Sequence, residues 1–367
     1  MLSVIVPIYK NTNLVEYCLQ QLVDRLPSDA ELIIVDDASG TETLQLLERF
    51  EVARLIKHQH NQGNTVAYNA GAAAARGDFL VFVDSDVFVP VGALEDFSQV
   101  LSADDSLGAV GSLLLYPYDY TIQHAGVAFD SWSTPHLFVG RRPDEIDLQP
   151  MEERQAVTAA FFATRRTVFE EVGGFEETYR DGMEDIEYCL RCRELGYRNV
   201  LLSSFPAFHL ESATRGPYIH IRQVYNRSIF YSRWTGRFKP DLLDYVSASA
   251  EKAIGNGNAI VSPAPVLNFC TTPNWIELAE TLRHAGVDLG STHNLSGWVS
   301  ESESIDLFRT VPLAFNRLPS SIVFVVDYFK QLTGNRLWFS RRPSNDVVVD
   351  RHANVLTGRP FGFSEQP

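Results

Sequence analysis

The sequence contains few cysteines and few basic residues. Its four cysteines, Cys18, Cys189, Cys192 and Cys270, are too sparse for a disulfide-bonded scaffold, which indicates a reducing compartment. Lysine and arginine total 31 against 46 aspartates and glutamates, a formal net charge of −15. This balance argues against electrostatic binding of nucleic acid or anionic lipid. A phosphate-bearing substrate stays compatible with it, because a metal ion can hold phosphate locally.

Long apolar runs and a secretory leader are also lacking. The apolar runs fall far short of a membrane span. No basic residue precedes the apolar run of the opening stretch MLSVIVPIYK, where a secretory signal would carry one. We therefore expect a cytoplasmic protein without a transmembrane segment. Cys189 and Cys192 match C-x-x-C, but they fall within a predicted helix without a second cysteine pair, so we interpret them as packing residues.

The order of apolar runs predicts the fold class. Over the first 116 residues, short β-rich runs alternate with helical stretches: LSVIVPIY, NLVEYCLQQLVDRL, ELIIVDDAS, TETLQLLERF, NTVAYNAGAAAARG, DFLVFVDSD, VGALEDFSQVL and LGAVGSLLLY. Uniformly apolar strands are covered on both faces, which predicts an α/β protein with a mostly parallel sheet flanked by helices. Periodicity weakens beyond about residue 240, where EKAIGNGNAIVSPAP resembles a loop. We therefore predict one domain over residues 1–238 and a C-terminal extension over residues 239–367.

Paired carboxylates follow two of the predicted strands. Asp36 and Asp37 come after ELIIV, and Asp84 and Asp86 come after FLVFV, and ligands of open parallel sheets gather outside the carboxyl ends of strands. Helix capping is the ordinary alternative, but it suits Asp84 and Asp86 poorly because apolar VFVP follows at once. Two carboxylates in an apolar setting repel each other unless a cation joins them. Oxygen ligands favour Mg²⁺ or Mn²⁺, so the stretch predicts a metal clamp for a diphosphate.

Five segments in order give the sequence a family resemblance. They are SVIVPIYKN, IIVDDAS, NQGNTVAYNAGAAAARGDFLVFVDSD, GGFEETYRDGMEDIEYCLRCRELGYR and PAFHLESATRG. Over roughly residues 1–235 the chain resembles the family 2 glycosyltransferases, inverting enzymes of the GT-A fold. The resemblance implies a metal-dependent transferase that moves one sugar from a UDP- or dTDP-sugar to a hydroxyl of a glycan or lipid-linked acceptor. Through such an acceptor the protein would lie at the membrane periphery.

The resemblance also implies roles for individual residues. Donor-nucleotide contacts are expected from Pro7, Tyr9, Asp36 or Asp37, Asn61, Gly63, Asn69, Asp84 and Arg215. Asp84 and Asp86 would form the family's DxD motif on the ribose and the metal–diphosphate. His209 would supply a further metal ligand, and Arg215 would neutralise the departing diphosphate.

A second acidic site is predicted at the start of a helix. In GMEDIEYCLRCRELGY, Glu184 and Asp185 open an amphipathic helical pattern, where the helix dipole alone would favour them by about 0.3–1 kcal/mol. The acceptor hydroxyl must lose a proton when it displaces the nucleotide, and a carboxylate is a suitable general base. The family assigns this role to the ED motif. We expect Asp185 to be the base and Glu184 to orient the acceptor.

Departures from the family pattern define the alternatives. Phe230 stands where the QxxRW motif of processive members has glutamine, which favours a non-processive enzyme, and Tyr68 stands where many relatives carry arginine. A nucleotidyltransferase that makes nucleotide sugars is one alternative, although PIYKNTN lacks its phosphate loop. A catalytically silent carbohydrate-binding protein is another. Residues 239–367 are open to three interpretations: acceptor recognition, oligomerisation or a second small domain.

Overall fold

The computed structural model of the chain describes residues 1–210, 219–255, 260–296, 318–330 and 345–358. The chain forms two compact units. The first contains Met1–Val127 and Arg142–Phe238, and the second contains Ala128–Arg141 and Lys239–Pro367. Across the described residues, no helix combines the length and the apolar character needed to cross a membrane.

The first unit contains a large mixed sheet. Its described strands are β1 (Leu2–Ile8), β2 (Glu31–Asp36), β3 (Arg54–Lys57), β4 (Phe79–Val83), β5 (Val87–Phe88), β6 (Leu107–Leu115), β7 (Ile122–His124), β8 (Met151–Arg154), β9 (Phe161–Arg165) and β10 (Arg198–His209). The order is β3-β2-β1-β4-β9-β6-β10-β5, with β7 beside β6 and β8 beside β10. Strands β1 to β4 are parallel neighbours, and β9 runs antiparallel between β4 and β6. The predicted α/β class with a mostly parallel sheet is confirmed.

Helices cover this sheet. They are α1 (Thr12–Val23), α2 (Thr41–Leu47), α3 (Asn64–Ala74), α4 (Ala93–Ala103), α5 (Arg166–Val172), α6 (Glu184–Glu194) and α7 (Ile219–Trp234). Every residue of β1 and of β2 is buried, as their uniformly apolar sequences predict. Helix α1 buries Val15, Cys18, Leu19 and Leu22, the helical spacing that packs one face onto the core. Because β1 runs parallel to both β2 and β4, the carboxyl ends of these three strands lie at one edge of the sheet.

The second unit contains a parallel sheet of its own. Its described elements are α8 (Leu242–Gly255), β11 (Ala264–Asn268), α9 (Trp275–His284), β12 (Leu289–Asn294), β13 (Val323–Val326), β14 (Asp346–Asp350) and β15 (Val355–Gly358). The order is β12-β11-β13-β14-β15, and among these strands β15 alone is antiparallel to its neighbour. The loop expected over EKAIGNGNAIVSPAP is wrong for Glu251–Gly255, which complete α8. The apolar side of α8, with Val246 and Ala250 buried, favours a helix there.

Residues 128–141 group with the second unit although the chain around them belongs to the first. The Phe129 amide donates to Asp241 Oδ1 at 2.8 Å, and the Asp241 amide donates to the Phe129 carbonyl at 2.9 Å. Asn274 Nδ2 donates to Asp130 Oδ2 at 2.9 Å. The second unit is therefore discontinuous in sequence, whereas the sequence pattern had suggested a single break near residue 238.

Candidate active site

The two predicted metal ligands, Asp86 and His209, converge with the predicted donor contact Asp84 at the carboxyl edge of the first sheet. Asp84 follows β4, and Asp86 precedes β5. Strand β5 pairs antiparallel with the end of β10, with Val87 opposite His209, and this pairing brings His209 beside Asp86. One ligand atom from each of Asp84, Asp86 and His209 lies within 4.8 Å of the other two. His209 Nε2 is 3.2 Å from Asp86 Oδ1.

The Asp84 carboxylate is held by two side chains of α3. Tyr68 Oη donates to Asp84 Oδ1 at 2.6 Å and Asn64 Nδ2 donates to the same oxygen at 3.0 Å. Among the described residues both hydrogen bonds end on Oδ1, so Oδ2 is the oxygen suited to a cation. Burial and then the charge of Asp86 raise the pKa of the Asp84 carboxyl. Such a pair of carboxylates is stabilised by a cation between them.

Tyr68 was missed by the sequence reasoning, which treated it as a departure from the family. Its ring is fully buried against Phe82, with centroids 5.0 Å apart. Its hydroxyl lies 3.3 Å from the Ala159 carbonyl oxygen as well as beside Asp84. Tyr68 therefore positions a candidate ligand, a role that could be inferred only after α3 was packed on β4.

The start of α6 brings the second acidic site close to the first. The Ala159 amide donates to Asp185 Oδ2 at 3.1 Å, and the Ala160 carbonyl accepts from the Asp84 amide at 2.8 Å. Residues 159–160 thus link Asp185 to Asp84. The Ile186 amide donates to Asp185 Oδ1 at 2.8 Å, so backbone donors orient both carboxylate oxygens.

Glu184 has a different environment from Asp185. Its residue is 5% exposed, and its Oε2 atom is buried without a hydrogen-bond partner among the described residues. Burial, followed by the charge of Asp185, raises the pKa of the Glu184 carboxyl well above its usual value. The raised pKa favours the protonated form of Glu184, in which the carboxyl can donate a hydrogen bond, as an orienting role requires.

Asp37 organises the loop of residues 58–63. Its carboxylate accepts from Asn61 Nδ2 at 2.8 Å and from the Gly63 amide at 2.8 Å, and it lies 2.7 Å from His58 Nδ1. Asp36 accepts from the Ser39 amide at 3.1 Å. The sequence did not decide which of the two aspartates contacts the donor. Asp36 accepts fewer of these internal hydrogen bonds than Asp37 does, so it is the better candidate. Its contact with a donor stays a prediction.

Gly63 and Asn69 have local structural roles. Gly63 has φ of +95°, and a Cβ there would collide with Arg180, so glycine is required. Asn69 exchanges two hydrogen bonds with the Phe175 backbone, its Nδ2 donating at 2.9 Å and its Oδ1 accepting at 3.0 Å. The Asn69 side chain thus holds the turn after α5, and its predicted donor contact is untested.

Pro7 and Tyr9 lie at the end of β1. Pro7 is opposite Val35 of β2. The Lys10 ammonium lies over the Tyr9 ring, 4.9 Å from the ring centroid. Beside them is a cleft of about 390 Å³ lined by residues 10–13 and 39–43. Arg215 falls outside the described residues.

Arg191 is a further residue that the sequence reasoning missed. Its guanidinium donates to Glu187 Oε2 at 2.8 Å, to the Val172 carbonyl at 2.5 Å and to the Gly174 carbonyl at 2.7 Å. These bonds fix α6 against the end of α5. The i,i+4 spacing of Glu187 and Arg191 was a signal that could have found the pair.

Sequence comparison relates the chain to glycosyltransferases. Residues 3–173 match glycosyl transferase family 2. The O-antigen biosynthesis protein RfbC of Myxococcus xanthus is 30% identical over 223 residues, which cover 58% of this chain and 17% of that protein. The pre-mycofactocin glycosyltransferase of Mycobacterium tuberculosis is 29% identical over 199 residues, 53% of this chain and 40% of that protein. The chain spans less than half the length of these relatives.

Structure comparison agrees on the fold. The crystal structure of GalNAc-T7 with UDP, GalNAc and Mn²⁺ superposes with a TM-score of 0.53 at 18% identity, covering 85% of this chain and 59% of that one. This likeness concerns the fold alone. Residues 3–173 are therefore similar to glycosyl transferase family 2, and the first unit has the GT-A fold.

Proposed function

We propose that the protein transfers one sugar from a nucleotide-sugar donor to an acceptor hydroxyl, with inversion at the anomeric carbon and dependence on a divalent cation. The observation that carries this proposal is the meeting of Asp84, Asp86 and His209 within 4.8 Å at the sheet edge that also receives Asp185. A cation site for a diphosphate and a carboxylate for proton transfer are thereby adjacent.

The side chains fit a divalent cation. Two carboxylates and one imidazole nitrogen would hold it, and the imidazole favours Mn²⁺ over Mg²⁺ because Mg²⁺ prefers oxygen ligands. When bound, the cation would supply positive charge against the diphosphate. We propose UDP or dTDP as the nucleotide, recognised by Asp36 and the loop of residues 58–63 beside Pro7 and Tyr9.

The proposed chemistry is a single displacement. The acceptor oxygen forms a bond to the anomeric carbon while the bond from that carbon to the diphosphate oxygen breaks and its electron pair leaves with the nucleotide. The acceptor proton passes to Asp185, whose oxygens are oriented by the Ala159 and Ile186 amides. Glu184 is proposed to orient the acceptor. No covalent enzyme intermediate is required, which accounts for inversion.

The acceptor is proposed to be a glycan or a lipid-linked saccharide. Residues 117–155 carry the exposed aromatic side chains Tyr118, Tyr120 and Trp132, which are suited to stacking on sugar rings. Tyr116 and Tyr118 already stack with ring centroids 5.1 Å apart. We propose that this segment and the second unit contribute to acceptor recognition.

A panel of UDP-, dTDP- and GDP-sugars tests the proposal. Each is incubated with the protein and Mn²⁺, and nucleoside diphosphate release and the first-formed anomer of the released sugar are followed by NMR. We expect turnover of at least one donor, with the anomeric configuration inverted. Asp86→Asn should abolish it, while Asp78→Asn, an exposed aspartate at the opposite end of β4, should not. Absence of release from every donor would favour a silent carbohydrate-binding protein.

A further inference from the structure

We propose that Gln123 is a positioning residue that fixes the imidazole of His209 in the tautomer able to bind a cation through Nε2. The proposal rests on the cation site of the proposed function and extends it to a residue outside the family motifs. Gln123 belongs to β7, which pairs antiparallel with the end of β6, and it is 4% exposed.

Two hydrogen bonds join Gln123 to His209. Gln123 Nε2 donates to the His209 carbonyl at 3.1 Å, and Gln123 Oε1 is 2.6 Å from His209 Nδ1. A single side chain therefore holds both the backbone and the ring of the last residue of β10.

The chemistry of these atoms assigns the proton on the ring. A backbone carbonyl only accepts, so the Gln123 atom facing it must be the amide nitrogen. The other Gln123 atom is then the oxygen, which also only accepts, so His209 Nδ1 must carry the hydrogen. In the neutral ring the lone pair is consequently on Nε2.

That lone pair is directed at the acidic cluster. His209 Nε2 lies 3.2 Å from Asp86 Oδ1, and a lone pair facing a carboxylate oxygen is repulsive. His209 Nε2, Asp86 and Asp84 would together hold a divalent cation, whose positive charge would remove this repulsion. Hydrogen bonding of the distant ring nitrogen commonly orients a metal-binding histidine and raises its basicity. Gln123 therefore prepares the ring for the cation.

Two substitutions separate this role from simple packing. In Gln123→Leu both hydrogen bonds are lost, and we expect affinity for Mn²⁺ alone, measured by calorimetry, to fall about 10- to 100-fold. In Gln123→Glu a carboxylate oxygen can still accept from Nδ1, but the other oxygen cannot donate to the His209 carbonyl, so affinity should fall clearly less than in Gln123→Leu. Ser3→Ala is the matched control. Ser3 is also buried, with one bond donated to Glu31 at 2.6 Å and one accepted from Gly77 at 2.8 Å, but at the opposite end of β1.

A spectroscopic measurement reads the tautomer without any metal. The protein is labelled with ¹⁵N-histidine and studied by NMR at a pH at which the ring is neutral, with His209→Gln used to assign the signal. In wild type we expect the His209 proton on Nδ1. In Gln123→Leu we expect this preference for Nδ1 to be lost. A proton on Nε2 in wild type, or unchanged Mn²⁺ affinity in Gln123→Leu, overturns the role of Gln123 and leaves the proposed function standing. If wild type binds no Mn²⁺ while Nδ1 is protonated, the cation of the proposed function is wrong and the tautomer assignment holds.

Discussion

At the scale of single residues, the two carboxyl groups that open α6 are distinguished by their surroundings. Both oxygens of Asp185 accept backbone hydrogen bonds, whereas Glu184 is buried with one oxygen unpartnered among the described residues. The sequence alone assigned the base to Asp185 by resemblance. The backbone donors that orient both Asp185 oxygens, together with the burial of Glu184, support that assignment, which stays a proposal.

Asp185→Asn should abolish sugar transfer and preserve donor binding. Asparagine retains the size of the side chain but cannot take the acceptor proton, and general-base catalysis contributes about 10²–10⁴-fold. The loss should appear in kcat, while UDP affinity changes little. Steady-state kinetics alongside UDP titrations check this result. An Asp185→Asn enzyme within about threefold of wild-type kcat, far below that range, would move the base to another residue.

Glu184→Gln should retain most of the turnover and stabilise the protein at higher pH. Because the folded-state pKa of Glu184 is raised, its contribution to stability is complete below the unfolded pKa and is lost as pH rises through the folded value. Glutamine is neutral at every pH, so the free energy of unfolding of the variant should exceed that of wild type only above this window. Urea unfolding at pH 5 and pH 9 measures the difference. A gain that is equal at both values, or larger at pH 5, contradicts a raised pKa.

At the scale of elements, the local pattern predicted the first sheet well and the pairings at its edge poorly. Strands β1, β2 and β4 are continuous apolar runs, and their periodicity shows in the sequence. Strand β7 has only three residues, Ile122–His124, within a stretch without clear periodicity. It forms by pairing with β6, a partner that local sequence cannot indicate. Gln123 could therefore not be connected to His209 before the structure was known.

The Arg191 contacts between α5 and α6 provide a prediction at this scale. Arg191→Met would leave the buried Glu187 carboxylate and two carbonyl groups without their donor, and breaking a buried pair from one side costs about 3–5 kcal/mol. Urea unfolding should show a loss in this range for the first unit. Arg193→Met is the control on the same helix. Arg193 faces Glu153 at 3.4 Å near the surface, where such pairs contribute about 0–1 kcal/mol.

The double variant Glu187→Leu/Arg191→Met sharpens this test. It removes the uncompensated charge together with its partner, so part of the lost stability should return. Equal losses in Arg191→Met and Arg193→Met would show that the Arg191 contacts do not hold the two helices together.

At the scale of the whole molecule, the second unit was the least predictable part. Its described strands have four to six residues, and β12, LGSTHN, has no buried residue. Strand β12 therefore lacks both the apolar run and the strict alternation that identify a strand in sequence. The inclusion of residues 128–141 depends on contacts more than one hundred residues away in the chain, such as Phe129 with Asp241.

Asp241→Ala tests the discontinuous second unit. Removing the carboxylate leaves the Phe129 amide without its acceptor, a loss of about 1–3 kcal/mol for a buried group. Hydrogen exchange should accelerate at Phe129 and within the second unit, with no change in β1 and β4. Lys239→Ala is the control, since Lys239 makes an exposed ion pair with Asp244. Accelerated exchange in β1 and β4 of Asp241→Ala would contradict the division into these two units.

The central claim is that Asp84, Asp86 and His209 bind a nucleoside diphosphate through a divalent cation. Calorimetric titration of UDP and dTDP into wild type and Asp86→Asn, each with Mn²⁺ and with EDTA, tests it most directly. We predict that wild type binds at least one of the two nucleotides in Mn²⁺. Binding in EDTA should be at least tenfold weaker, in line with losses of about 10–100-fold at perturbed metal sites. The nucleotide affinity of Asp86→Asn should change little when Mn²⁺ is added. Equal affinity of the preferred nucleotide for wild type in Mn²⁺ and in EDTA would contradict the claim.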